Sequence, residues 1–226
     1  MAPTYFCRFP GSKIPTAIAA PRFFFRCVLF PGVVPARGAG ELMHPSRSAT
    51  PLAMDQLLLS LPDIKTERLF IRQLSLADAE AFRAMTDEPA IIDAIHFLER
   101  PFTLANAEKL IGSNQDGKDC FWGVWMLGEP ALLGTVGTHI RDSETIEIGY
   151  WFATAAQGRG FASEAVRGVI GALVRVYPEH LIVAECRPEN VASWRLLERA
   201  GFQPDGADGN RPGRKSLVFA PNQNTR

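Results

Sequence analysis

Three strand-like runs, C120-F-W-G-V-W-M-L127, A131-L-L-G-T-V-G-T-H-I140 and T145-I-E-I-G-Y-W-F152, follow one another with short turns between them. The connections are Gly128-Glu129-Pro130 and Arg141-Asp142-Ser143, rich in turn formers. Such short links make an antiparallel meander the simplest arrangement, because parallel neighbours need a crossover of about a dozen residues or more. Directly after the meander, Q157-G-R-G-F-A-S-E-A-V166 places two glycines and an arginine in front of a helical run. Ala162, Val166, Val169, Ile170 and Leu173 share one face of that helix. A strand H180-L-I-V-A-E-C186 follows, then a helix from Asn190 to Ala200 with Gly201 placed to end it, a short F202-Q-P, and a strand S216-L-V-F-A220. A meander giving way to a strand–helix–strand–helix unit predicts a mixed α/β (α+β) fold with helices on both faces of the sheet.

Upstream, T66-E-R-L-F-I-R-Q-L74 alternates like a strand and S75-L-A-D78 has the form of a capping box opening a helix towards Thr86, closed by Pro89. Helical pieces are expected around 90–97 and 103–114, the second opened by Thr103. The first 53 residues differ: they hold eight of the 17 prolines and six Lys or Arg against the single acid Glu41. Their apolar stretch R22-F-F-F-R-C-V-L-F30 is interrupted by Arg26 and too short to span a bilayer. Met43 and Met54 both precede the regular sequence, so residues 1–53 are either a leader or the product of an over-extended start, expected to be disordered or absent in the working protein. The domain is expected over 54–226.

Lys plus Arg and Asp plus Glu are equal at 24 each, so no overall basic field argues for nucleic acid or an anionic membrane as partner. Cys7, Cys27, Cys120 and Cys186 are scattered without a CxxC pair, which favours buried free thiols in a reducing, cytoplasmic setting. His44, His96, His139 and His180 form no HxxxH or HExxH pattern, so no metal is expected. A monomer or homodimer is the expected assembly.

A helix N-terminus exposes backbone N–H groups and partial positive charge, so the turn at Gln157 to Gly160 favours an anion, most often phosphate. GxxxxGK[ST] occurs nowhere in the chain, and G158-R-G160-F-A-S163 has serine at the third glycine position of a dinucleotide fingerprint, with a meander upstream. Together, E147-I-G-Y-W-F152, Q157-G-R-G-F-A162 and N190-V-A-S-W-R-L-L-E-R-A-G-F202 resemble the GNAT superfamily of acyl-coenzyme A N-acyltransferases. Within it the chain looks most like the branch of ribosomal-protein-alanine N-acetyltransferases, over roughly residues 64–220.

The resemblance implies a central, mostly antiparallel sheet splayed at its middle, acetyl-CoA as co-substrate, and transfer of acetyl to a primary amine, either a protein N-terminus or a small molecule. It places the pyrophosphate on the main chain of Gln157, Gly158, Arg159, Gly160, Phe161 and Ala162, and the pantetheine arm along Trp151, Phe152 and Ala153. Asn190 would be both helix cap and coenzyme contact. Gly149 in mid-strand suits a bulge that opens the splay.

Acetyl transfer needs a proton acceptor for the ammonium and a proton donor for the departing thiolate. Glu147, facing the cleft with a pKa raised by partial burial, is the expected base; the alternative is a carboxylate paired with a cation such as Arg141. Ser193 is the expected thiolate partner, unless it only bonds its own backbone, with Tyr150 in reserve. Ile91 to Phe102 and the pair Trp122 and Trp125 either wall the acceptor or belong to the core. A non-catalytic acyl-CoA sensor would share the phosphate turn, so turnover alone separates it from an enzyme.

Overall fold

Successive side chains of a strand point to opposite faces of its sheet, and the computed structural model, which describes residues 61–95, 97–113 and 118–220, shows eight strands there. They are β1 (Ile64–Lys65), β2 (Leu69–Gln73), β3 (Asp119–Met126), β4 (Leu132–Ile140), β5 (Thr145–Phe152), β6 (Leu181–Cys186), β7 (Phe202–Asp208) and β8 (Lys215–Phe219). One sheet joins them in the order β1-β2-β3-β4-β5-β6-β8-β7. Only β5 and β6 run parallel among its neighbouring pairs. The leader expected over 1–53, with Cys7 and Cys27, lies outside the described residues, as does His96.

Five helices flank the sheet: α1 (Ala79–Thr86), α2 (Pro89–Ile92), α3 (Leu104–Gly112), α4 (Phe161–Val176) and α5 (Val191–Ala200). The Ser75–Asp78 capping box is present, but a single 3₁₀ turn over Leu76–Asp78 precedes α1. Pro89 does more than close α1, because its fixed φ suits the first position of a helix and α2 begins on it. Thr103 caps α3 as expected, its hydroxyl accepting from the Asn106 N–H.

Two apolar cores lie on the two sheet faces. One gathers Phe161, Val166, Val169 and Leu173 of α4 and Leu197 of α5 against Ile146, Ile148 and Phe152. The other gathers Phe82 of α1 and Ile111 of α3 against Phe121, Trp125 and Trp151. Alternation along β5 therefore splits as the side chains require, with Glu147, Gly149 and Trp151 on the α1–α3 face.

Trp122 and Trp125 do not form an acceptor wall. Trp122 is buried in the α4 core with its Nε1–H donating to Thr138 Oγ1 at 3.0 Å. Trp125 is buried on the other face beneath the Arg72 guanidinium, 4.2 Å from the ring centroid. An indole this large contributes more as core than as surface lining.

Candidate active site

The parallel pair opens partway along. β5 continues to Phe152 and β6 to Cys186, yet their pairing runs only from Thr145↔Leu181 to Ile148↔Ala184. Beyond that point β6 stays with β8, Cys186 facing Lys215, while β5 stays with β4. The bulge expected at Gly149 is not what opens the sheet: the β4–β5 ladder is unbroken from Ile140↔Ile146 to Gly134↔Phe152, with Gly149 opposite Gly137. A register shift occurs instead between β3 and β4, at Val124/Trp125.

Ala153 N–H donates to Leu133 O at 2.9 Å, so the polar main-chain groups of Trp151 and Ala153 turn towards β4. By alternation those of Tyr150 and Phe152 turn to the gap. There Gln157 Nε2 donates to Phe152 O at 3.1 Å, tying the glycine turn to the end of β5. Of the three residues expected along the pantetheine, Phe152 thus presents its main chain to the gap. Trp151 instead anchors the α1 side, its Nε1–H donating to Thr86 Oγ1 at 3.1 Å.

The turn itself depends on glycine. Gly158 has φ 72° and Gly160 φ 80°, left-handed values that cost an L-residue about 1–2 kcal/mol. Gly160 is the N-cap of α4, and no side chain caps that end; α3 and α5, by contrast, are capped by Thr103 and Asn190. The first N–H groups of a sixteen-residue helix are therefore offered outward. Arg159 lies with its guanidinium 4.7 Å from the Phe161 ring centroid, and Arg68 sits 4.8 Å from the same ring.

Arg68 and Thr66 were not marked as site residues by the sequence. Arg68 Nη1 donates to Arg159 O at 3.2 Å and Nη2 pairs with Glu164 at 2.7 Å. Glu164 also accepts from Thr66 Oγ1 at 2.6 Å and from the Arg68 N–H at 2.8 Å. These bonds fasten the first turn of α4 to the start of β2. Their partners lie more than ninety residues apart, beyond any local periodicity.

Across the gap, Tyr150 Oη and Ser193 Oγ are 2.8 Å apart, and Asn190 Oδ1 accepts from Ser193 N–H at 3.2 Å. The structure brings the expected thiolate partner and its reserve into one hydrogen-bonded pair. Burial pushes the Tyr150 phenol well above its ordinary value, outweighing the opposing bond from Ser193, so it remains a proton donor at neutral pH. Cys186, buried next to this pair, is also raised by burial and stays a thiol.

Glu147 is where the structure departs from the expectation of a raised pKa. Arg141 Nε reaches its Oε2 at 2.6 Å and Arg211 Nη1 its Oε1 at 2.6 Å. Burial pushes the carboxyl up, but the two guanidinium bonds outweigh it and leave the pKa below the ordinary glutamate value. The pairing with Arg141, held open as the alternative, is present. Arg211 comes from the turn between β7 and β8 and also pairs with Glu185 at 2.9 Å, while Asn210 N–H donates to Glu185 Oε1 at 2.6 Å. This glycine-rich turn, with no periodic pattern to signal its role, folds over the α1–α3 face of the sheet at Glu147 and Glu185.

The acetyltransferase (GNAT) domain family matches residues 68–203. The chain is 29% identical over 144 residues to the uncharacterized N-acetyltransferase YnaD of Bacillus subtilis (strain 168), covering 63% of this chain and 84% of YnaD. A crystal structure of a GNAT-family acetyltransferase from Bacillus anthracis shares the fold with TM-score 0.61 and 27% identity, covering 70% of this chain and 98% of that one. RimL, a ribosomal L7/L12 alpha-N-protein acetyltransferase solved with coenzyme A, superposes with TM-score 0.61 at 16% identity, over 70% of this chain and 95% of its own, a likeness of fold. A splayed parallel pair beside an uncapped glycine-turn helix, matched over 60% of the length by one family, shows that this chain belongs to the GNAT acetyltransferases and is an enzyme of that class.

Proposed function

We propose that the enzyme transfers acetyl from acetyl-CoA to a primary amine, by direct attack of the amine, with a protein N-terminus or a small-molecule amine as acceptor. The observation that carries this reading is the juxtaposition of two features: β5–β6 pairing stops after Ile148, and the uncapped start of α4 is tied to the end of β5 through Gln157. The residues present suit a diphosphate with a long polar arm: outward N–H groups at Gly158 to Ala162, and the main-chain groups of Tyr150 with the Phe152 N–H turned to the gap. Arg159, with Arg68 beside it, supplies cationic charge at the phosphate end. Asn190 orders the opposite lip by capping α5.

When bound, acetyl-CoA supplies an acetyl thioester. Tyr150, kept protonated by burial and bonded to Ser193, supplies the proton for the departing sulfur. Glu147 stays ionised through the neutral range, and its pairs with Arg141 and Arg211 hold the β4–β5 and β7–β8 turns in place on the α1–α3 face, where the acceptor approaches. A carboxylate held this acidic is a weaker proton acceptor than the sequence suggested. A protein N-terminus ranks with small amines here because the branch resemblance rests on the motifs at 147–152 and 190–202.

The test is acetyl-CoA consumption by the purified chain against peptides with free α-amino groups and against simple alkyl amines and diamines. Saturable transfer to at least one of them is expected. Tight acetyl-CoA binding with no transfer to any would overturn the reading in favour of a sensor.

A further inference from the structure

A second acid–base pair lies on the same sheet face as Glu147. His139 of β4 is the cross-strand neighbour of both Asp119 on β3 and Glu147 on β5. Its Nδ1 lies 2.6 Å from Asp119 Oδ1. The bond to His139 chiefly holds the Asp119 carboxyl below its ordinary value despite partial burial, so Asp119 is an ionised acceptor. Nδ1 is then the protonated nitrogen, and in the neutral ring Nε2 carries the lone pair.

The ring leans along β4 over Gly137. A Cβ placed on Gly137 would come within 2.8 Å of Nε2, whereas one placed on Gly149, opposite Gly137 on β5, would meet nothing within 4 Å. The imidazole fills the space over Gly137, while Gly149 leaves a hollow between Glu147 and Trp151, beside the point where β5 and β6 part. Nε2 lies at its rim. The His139 side chain is 17% exposed, enough to exchange a proton with solvent.

Resting on the acetyl transfer proposed above, we propose that His139 is the general base for the acceptor amine, with Asp119 as its positioning residue and the Glu147–Arg141–Arg211 cluster as the fixed wall beside the hollow. Nε2 accepts one proton from the ammonium, directly or through one water, freeing the nitrogen lone pair to form the C–N bond. The C–S bond breaks, and the electron pair leaves on sulfur. The second proton of the attacking nitrogen ends on that sulfur by way of the Tyr150 hydroxyl, and the imidazolium returns the first to solvent. The division of labour follows from the geometry: His139 Nε2 lies at the open space beside Gly149, while both oxygens of Glu147 are taken up by guanidinium groups. The charged groups facing His139 are Asp119 from β3, Glu147 from β5, Arg141 from the β4–β5 turn and, through Glu147, Arg211 from the β7–β8 turn.

The test combines kinetics with a measurement on the free protein. With whichever peptide or diamine the wild-type chain acetylates best, H139Q is expected to lose about a hundredfold in kcat. Its KM for acetyl-CoA should stay within twofold, and the acid limb of the pH profile should vanish. Long-range ¹⁵N NMR of the unliganded chain should show the neutral ring as the Nδ1–H tautomer, and D119N should mix the tautomers. Calorimetric binding of acetyl-CoA by both variants verifies that they are folded. Loss of less than threefold with the acid limb intact, or an Nε2–H tautomer in wild type, would overturn the assignment and leave acetyl transfer standing. A wild-type chain that binds acetyl-CoA but acetylates no amine would bring down both.

Discussion

Glu147 and Tyr150 sit three residues apart on one strand and face opposite sides, and their environments push them in opposite senses. The phenol is kept protonated by burial; the carboxylate is kept ionised by Arg141 and Arg211. Replacing Tyr150 with Phe keeps the packing and removes the donor, so kcat should fall by about ten- to a hundredfold with acetyl-CoA affinity unchanged, as steady-state kinetics with parallel calorimetry would reveal. The E147Q variant should lose tenfold or more in kcat/KM for the acceptor, about 1.4 kcal/mol or more of differential binding, while retaining any limb of the pH profile near neutrality. That limb cannot belong to Glu147, whose folded pKa is depressed: its charge is present above the ordinary glutamate value and is lost only as pH falls through a lower one. If E147Q abolished the neutral limb, the carboxylate would be the base after all.

At the scale of elements, the start of α4 is the part most dependent on backbone conformation. A Cβ on Gly158 would touch nothing within 4 Å, so G158A introduces left-handed strain without a clash. The expected result is a chain destabilised by about 1–2 kcal/mol in urea unfolding, with coenzyme affinity reduced by tenfold or more as the turn shifts. Unchanged affinity would place the phosphates elsewhere. This turn was legible in the sequence because glycine before an amphipathic run is a local signal, as were the meander and the caps at Thr103 and Asn190. The β5–β6 parting followed from the family resemblance, but its cause did not: Gly149 opens a hollow on the α1–α3 face and leaves the ladder intact. Arg211, Arg68 and the His139–Asp119 pair were not legible as site residues, since each acts through a partner on another element and none falls in a periodic pattern.

For the whole molecule, the sheet is closed against two cores, and its edge near β2 is fixed by an ion pair that sets part of the acid stability. Burial raises the Asp78 pKa, but the bidentate Arg72 contact at 2.8 Å and the bonds from Ser75 outweigh it and hold the carboxyl at about 2, against the ordinary 3.8. A depressed carboxylate contributes stability above its ordinary pKa and loses it as pH falls towards the folded value. After allowance for solvent screening, D78N should therefore cost about 1 kcal/mol at pH 7 and almost nothing at pH 2, which thermal unfolding across that range would show. The central claim is that the uncapped start of α4 and the free edge of β5 together hold acetyl-CoA. Backbone amide NMR during titration with coenzyme A tests it most directly: the largest shifts should fall on Gly158 to Ser163 and on Tyr150 and Phe152, and saturable shifts confined to other residues, or none at all, would contradict it.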